Sequence, residues 1–318
     1  MRDDGAAAPR LDLAHVRARF SAAGERYDAA ARLQAIVRTE LLARVAELRI
    51  APRVVLDLGA GTGHAARALK QRYPRSLVVA TDLAPGMLAQ AGALLGWRER
   101  WFGGRWFGGG WGHRFERVAA DARALPLSHG CAGLAFSNLM LQWCDELVPA
   151  FSEIARALEP GGAFAFTTFG PATLQELRAA WAAVDDAPHV HRFLDMHDVG
   201  DALLRAGFEQ PVLDVDTHQL DYDSVIDLMR DLQRIGAVNA DRDRRRGLLG
   251  RRALATLQAA YEPLRAAGRL PSTWEVIYGV AWAPRARPAA TVESEPTVAV
   301  IPVGQIGQRR RRADGETP

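Results

Sequence analysis

The stretch that most restricts what this chain can fold into is Asp57-Leu58-Gly59-Ala60-Gly61-Thr62-Gly63. It follows the β-branched run Arg53-Val54-Val55-Leu56 and precedes the helical HAARALKQRY, so three glycines stand where a strand stops and a helix starts. Glycine tolerates a left-handed backbone and lets a ligand come close to the main chain, and the first amides of the following helix face whatever binds there. A second apolar run, SLVVATDLA, comes next, and RVAADARALPL, GLAFSNLMLQW and GAFAFTTFG supply three more. Apolar runs alternating with helical segments such as VPAFSEIARALEPGG predict an α/β fold, a parallel sheet with helices on both faces.

What the glycine loop holds depends on its neighbours. A dinucleotide fingerprint would place its third glycine one position later, where His64 stands, which weakens the reading as an NAD-dependent oxidoreductase. Asp82 ends the second apolar run, where a carboxylate can accept from two ribose hydroxyls, and Asp121 follows the third run in the same way. Each alone reads equally as a turn or helix-capping aspartate. With Asp57 they form three acids at the carboxyl ends of successive strands, where open α/β sheets bind their ligands.

Composition removes several classes. With 318 residues and 48% hydrophobic content, the chain can bury one large core, or one core with a smaller lobe. Net charge is only +3, from 40 basic against 37 acidic residues, and the excess sits locally at Arg242, Arg244 to Arg246, Arg251, Arg252 and Arg309 to Arg312. That is no uniform nucleic-acid footprint. Cys131 and Cys144 have neither metal-ligand spacing nor a disulfide framework and read as reduced thiols, so no metal is expected. No apolar run reaches the roughly 18 residues of a membrane span, so a cytoplasmic protein without membrane contact is expected.

Residues 96–115, GWRERWFGGRWFGGGWGHRF, repeat RWFGG in tandem and alternate aromatics and arginines with glycine, as single-strand nucleic-acid binders do. Their place between the helix after Asp82 and the third strand makes them an insertion in a loop, where extra length costs little, and no nucleic-acid partner is expected. Val16, Phe20, Tyr27, Ala31, Leu33 and Ile36 repeat at helical spacing over residues 12–48, and Tyr222, Val225, Ile226, Met229, Leu232 and Ile235 do so later. The expected organisation is a flexible N-terminus over 1–11, one domain over 12–284 and a disordered tail over 285–318. Within the domain, 12–48 and 222–269 are expected to be helical, packing on the domain or covering its site. Helices are also expected near 172–184 and 196–206, and strands near 211–219 and 273–283.

The acid-x-Gly-x-Gly-x-Gly loop with its following acids resembles the first motifs of the class I S-adenosylmethionine-dependent methyltransferases. That family implies a Rossmann-like, seven-stranded, mostly parallel sheet whose last strand is antiparallel. It implies S-adenosylmethionine as methyl donor, with Gly59, Gly61 and Gly63 along its methionyl part and Asp57 near its ammonium group. Asp82 and Leu83 would meet the ribose, Asp121 and Ala122 the adenine, and Asn138 the region of the sulfonium. Further stretches, among them FGPATLQELR, HRFLDMHD and LQRIGAVN, are similar to one branch, the malonyl-[acyl-carrier-protein] O-methyltransferases of biotin synthesis.

The branch implies transfer of a methyl group to the free carboxylate of a malonyl thioester on acyl-carrier protein or coenzyme A. The nearest alternative within the class is another small carboxylic acid, such as one like trans-aconitate. A carboxylate is already ionised at neutral pH, so no general base is required. An arginine fork suits its orientation, and Arg192 in HVHRF is the first candidate, against a plain surface arginine. Phe20, Tyr27 and Gln34 resemble the family's N-terminal lid, with Gln34 on the cofactor side, while Gln142 and Trp143 would face the substrate. Arg244, Arg245, Arg246 and Arg251 are candidates for the acidic carrier protein, against a merely solvated face.

Overall fold

In Val54–Leu58 (β1), Val55 points to one buried face and Leu56 to the other, the pattern of a strand covered on both sides. The fold is known here from a computed structural model that describes residues 11–93, 115–244, 247 and 250–285. The expected flexible ends, but for Leu11 and Arg285, and the insertion up to His113 and Arg114 lie outside the described residues. The chain divides after Arg285, and the remainder, Ala286–Pro318, is likewise outside them.

Leu13–Ala30 (α1) and Arg32–Glu47 (α2) precede β1, and His64–Arg72 (α3) leads to Leu77–Asp82 (β2). Pro85–Ala93 (α4) and Glu116–Ala119 (β3) follow, then Ala132–Asn138 (β4), Leu147–Ala157 (α5), Leu158–Phe169 (β5), Gln175–Ala182 (α6) and Met196–Arg205 (α7). Glu209–Tyr222 (β6), Val225–Arg234 (α8), Arg251–Tyr261 (α9) and Leu270–Trp282 (β7) complete the order. The seven strands lie in the order β3-β2-β1-β4-β5-β7-β6. All pairs are parallel except those of β7, which runs antiparallel to β5 and β6. The expected class I architecture is met, antiparallel last strand included.

Alternation along the strands sends side chains into two cores. Val55, Leu134, Ala163 and Tyr278 pack with α2, α3, α6, α8 and α9, through residues such as Val37, Leu41, Leu69, Trp181, Leu228 and Leu257. Leu56, Ala135, Phe164 and Ile277 pack with α5 and α7, where Phe151, Phe164, Phe166 and Phe208 form a ring cluster. Burying each large apolar side chain contributes about 1.5–3 kcal/mol, so the β-branched strand repeats specify the sheet.

One expectation needs correction. The helical stretch 222–269 is two helices, α8 and α9, separated by an irregular segment, and its first residue, Tyr222, belongs to β6. Gly236 explains the break: it ends α8 at φ +75°, where any Cβ would press on Phe20 and the Arg19 carbonyl. The segment after it is tied to the N-terminus, with Asp12 N donating to the Ala240 carbonyl (2.8 Å) and Leu11 bridging Asp241. Among the described residues no helix is long and apolar enough to cross a membrane.

Candidate cofactor and substrate clefts

The order of strands reverses between β1 and β4, and a cleft lies over their carboxyl ends, the place where open α/β sheets bind their ligands. Its floor is the glycine loop. Gly59, Gly61 and Gly63 have φ of 69°, 54° and 78°, a left-handed run that other L-residues enter at a cost. A Cβ at Gly59 would fall 2.4 Å from Met140 Cγ and one at Gly63 2.8 Å from Phe115 Cζ, whereas at Gly61 nothing lies within 4 Å. Gly59 and Gly63 are therefore glycine for packing as well as for φ. Gly61 opens onto the cleft, where a bound molecule can lie against its backbone.

Asp82 joins the loop to the next strand end. Gly61 N donates to Asp82 Oδ2 and Ala84 N to Oδ1, both at 2.8 Å, which fixes the carboxylate with lone pairs left for a ligand. Burial pushes its pKa up, and these two amides pull it back. Leu83 and Ala122 line the same wall. Asp121 is held by Arg123, which donates from Nε (3.1 Å) and Nη2 (2.7 Å), and that pairing keeps its carboxyl below the usual range. Asp57 does not line the cleft but lies buried beneath the loop, 1% exposed, with Oδ2 unpartnered. Burial raises its pKa to about 7, the Ala66 amide opposing.

At the end of β4, Asn138 Nδ2 donates to the Gln34 carbonyl (3.1 Å) and its Oδ1 accepts from the Thr167 hydroxyl (3.1 Å). Gln34 thus contributes a backbone carbonyl, and its side chain lines neither cleft. Leu139 follows at φ 51°, a strained backbone beside the cleft. The roof comes from α1, through Phe20 and the half-buried Tyr27, whose hydroxyl is kept neutral by burial and by the nearby Asp82 carboxylate. Asp28 fastens α1 to the loop, accepting from the Thr62 hydroxyl (2.6 Å) and facing His64 Nε2 (3.1 Å).

A second cleft lies over the ends of β4 and β5, between α6 and α8. Trp143 borders both clefts and meets Phe20 and His191 edge to face, with centroids at 5.2 and 5.5 Å. Gln142 lines the second cleft, its Nε2 donating to the Leu139 carbonyl at 2.7 Å. Phe169, Trp181, Phe193 and Trp274 make the walls largely aromatic.

The structure brings together Phe20, Tyr27, Gly59, Gly61, Asp82, Leu83, Asp121, Ala122, Asn138 and Trp143, while Gly63 and Asp57 support the wall from behind. Arg192 is exposed and lines neither cleft. Arg244 is occupied with Asp12 (3.2 Å) and the Asp241 carbonyl (2.9 Å), Arg251 is exposed at the start of α9, and Arg245 and Arg246 lie outside the described residues. Sequence reasoning passed over Arg123, Met140 and Cys144, which line the first cleft. The Asp-x-Arg pair at 121–123 was the signal available. Burial pushes the Cys144 thiol to about 12, an unreactive group.

A methyltransferase domain family matches residues 56–166, the part that builds the glycine loop and its two following acids. The malonyl-[acyl-carrier protein] O-methyltransferase of Methylovorus sp. strain MP688 is 49% identical over 282 residues, covering 88% of this chain and 92% of that protein. The enzyme of the same name from Xylella fastidiosa strain M23 is 44% identical over 306 residues, 95% of this chain and 98% of the relative. A crystal structure of a Bacillus halodurans protein, 18% identical, superposes with a TM-score of 0.53 over 78% of this chain and 98% of that one, a likeness of fold alone. Since these relatives match nine tenths or so of this chain and of their own length, the chain belongs to the malonyl-[acyl-carrier protein] O-methyltransferase family.

Proposed function

We propose that this protein methylates the free carboxylate of a malonyl thioester, on acyl-carrier protein in preference to coenzyme A, with S-adenosylmethionine as donor. The observation that carries the reading is the near full-length identity to relatives of that name. It is supported by a cleft over the glycine loop that shares one wall, Trp143, with a second, aromatic cleft. When bound, S-adenosylmethionine supplies an electrophilic methyl group. Gly59 and Gly61 would lie along its methionyl part, Asp82 would accept from its ribose, and Ala122 would pack beside its base, with Asp121 holding that turn through Arg123.

The chain's own task is positional. A carboxylate oxygen forms the new bond with its lone pair, the old bond to sulfur breaks with its electrons left on sulfur, and no proton moves. No residue has to act as a base. The lid formed by α1, with Phe20 and Tyr27, excludes water while opposite charges disappear, and holding the reactants in line contributes the rest. Arg251 and Arg252 stand exposed in the first turn of α9, where no acid accompanies them and the helix dipole disfavours cations. An acidic carrier protein docked there would relieve that repulsion.

The test is incubation with methyl-labelled S-adenosylmethionine and malonyl-carrier protein. A base-labile methyl ester on the carrier is expected. Label on trans-aconitate but not on any malonyl thioester would sink the substrate assignment, and faster transfer to malonyl-coenzyme A would sink the carrier preference.

A further inference from the structure

The second cleft is lined by three residues that each carry a buried polar atom with no hydrogen-bond partner among the described residues: Gln142 Oε1, His191 Nδ1 and Trp274 Nε1. An indole Nε1 only donates. His191 Nε2 accepts from the Ala240 amide at 3.2 Å, which in the neutral ring places the proton on Nδ1, and the Val238 carbonyl lies nearby without hydrogen-bond geometry. Burial keeps the ring neutral, holding its pKa below the ordinary value against the opposing Asp241 carboxylate. Gln142 spends its amide N–H on Leu139, which leaves its oxygen as an acceptor. Each unsatisfied buried group costs about 1–3 kcal/mol, so three on one cleft point to a ligand that completes them.

Charge narrows the ligand further. Among the described residues lining this cleft there is no lysine or arginine. For a carboxylate about to be methylated that is chemically apt, because its negative charge vanishes as the bond forms. A fixed cation would stabilise the starting anion more than the transition state and slow the transfer, whereas neutral donors and aromatic walls orient the anion with less of that penalty.

Resting on the malonyl-thioester reading above, we infer that the second cleft seats the malonyl group, with the N–H groups of His191 and Trp274, not an arginine, orienting its carboxylate. Gln142 Oε1 then accepts from an amide N–H of the thioester's arm, and Trp143 is the wall across which the carboxylate meets the methyl donor.

The experiment compares wild type, Trp274→Phe and His191→Asn on malonyl-carrier protein and malonyl-coenzyme A, with S-adenosylmethionine affinity measured by calorimetry. Trp274→Phe keeps an aromatic ring beside Phe169 and loses the donor, and His191→Asn is the second variant should the first fail to fold. Each is expected to raise KM for the malonyl thioester about tenfold, the size of one lost hydrogen bond, with cofactor affinity within about twofold of wild type. An active wild type with both variants unchanged in KM and kcat would overturn the placement. So would a tenfold KM increase on Arg192→Ala with both ring variants silent. A wild type that binds the cofactor but methylates no malonyl thioester would overturn the functional reading itself.

Discussion

Gly61 is where one atom separates fold from function. Its φ of 54° makes alanine cost about 1–2 kcal/mol, and because nothing lies within 4 Å of the added carbon, no packing loss follows. Gly61→Ala is expected to melt within a few degrees of wild type and to bind S-adenosylmethionine at least about tenfold more weakly, since the new methyl stands where the ligand's backbone contact belongs. Calorimetry and a melting curve together check it. Asp57 makes the second prediction at this scale. Its folded pKa, near 7, lies above the ordinary aspartate value of about 3.9, so the folded state holds the proton more tightly. That contribution to stability is complete below about pH 4 and is lost as pH rises through about 7. Asp57→Asn removes it, and the melting temperature of the variant minus that of wild type, without cofactor, is expected to grow from about pH 5 to about pH 8. A flat difference would mean that Asp57 ionises normally.

At the scale of elements, Asp28 ties α1 to the glycine loop, accepting from the Thr62 hydroxyl and facing His64. Thr62 is buried, and removing its acceptor leaves a hydroxyl unsatisfied at a cost of about 1–3 kcal/mol. Asp28→Ala is therefore expected to speed amide exchange in α1 before the strands, and to weaken cofactor binding; unchanged exchange there would show that apolar contacts alone hold the lid. The helical spacing over 12–48 was legible from Val16, Ala31 and Leu33, which are buried, but Ile36 is exposed, and Val16 and Leu33 belong to two helices that pack in different clusters. The break between α8 and α9 was not, since the same apolar period runs through Ile235 and the decisive event is Gly236 meeting Phe20 of a distant helix.

For the whole molecule, the exposed Arg251 is the point at which carrier docking becomes measurable. Arg251→Glu is expected to raise KM for malonyl-carrier protein several-fold and leave malonyl-coenzyme A less affected, with the difference shrinking in about 0.5 M salt as screening shortens the reach of the charge. An equal effect on both substrates would place the arginine's role elsewhere than in protein recognition.

The sequence alone determined the sheet and its parallel core, and it put Gly59, Gly61, Asp82, Asp121 and Asn138 at or just after strand ends, because local pattern dictates position there. Trp143, expected to face the substrate, and Phe20, expected in an N-terminal lid, both line the first cleft. Gln142 and Trp143 were named from the sequence, and only the tertiary structure joined them with His191 and Trp274 in the second cleft. His191, Trp274 and Gln142 come from a loop, from β7 and from the turn after β4, and their unpartnered atoms are a property of packing among distant segments. Arg192 and His191 are neighbours in HVHRF, and nothing local says which of them turns inward. Burial made that choice, since a guanidinium is far more costly to take out of water than a neutral imidazole.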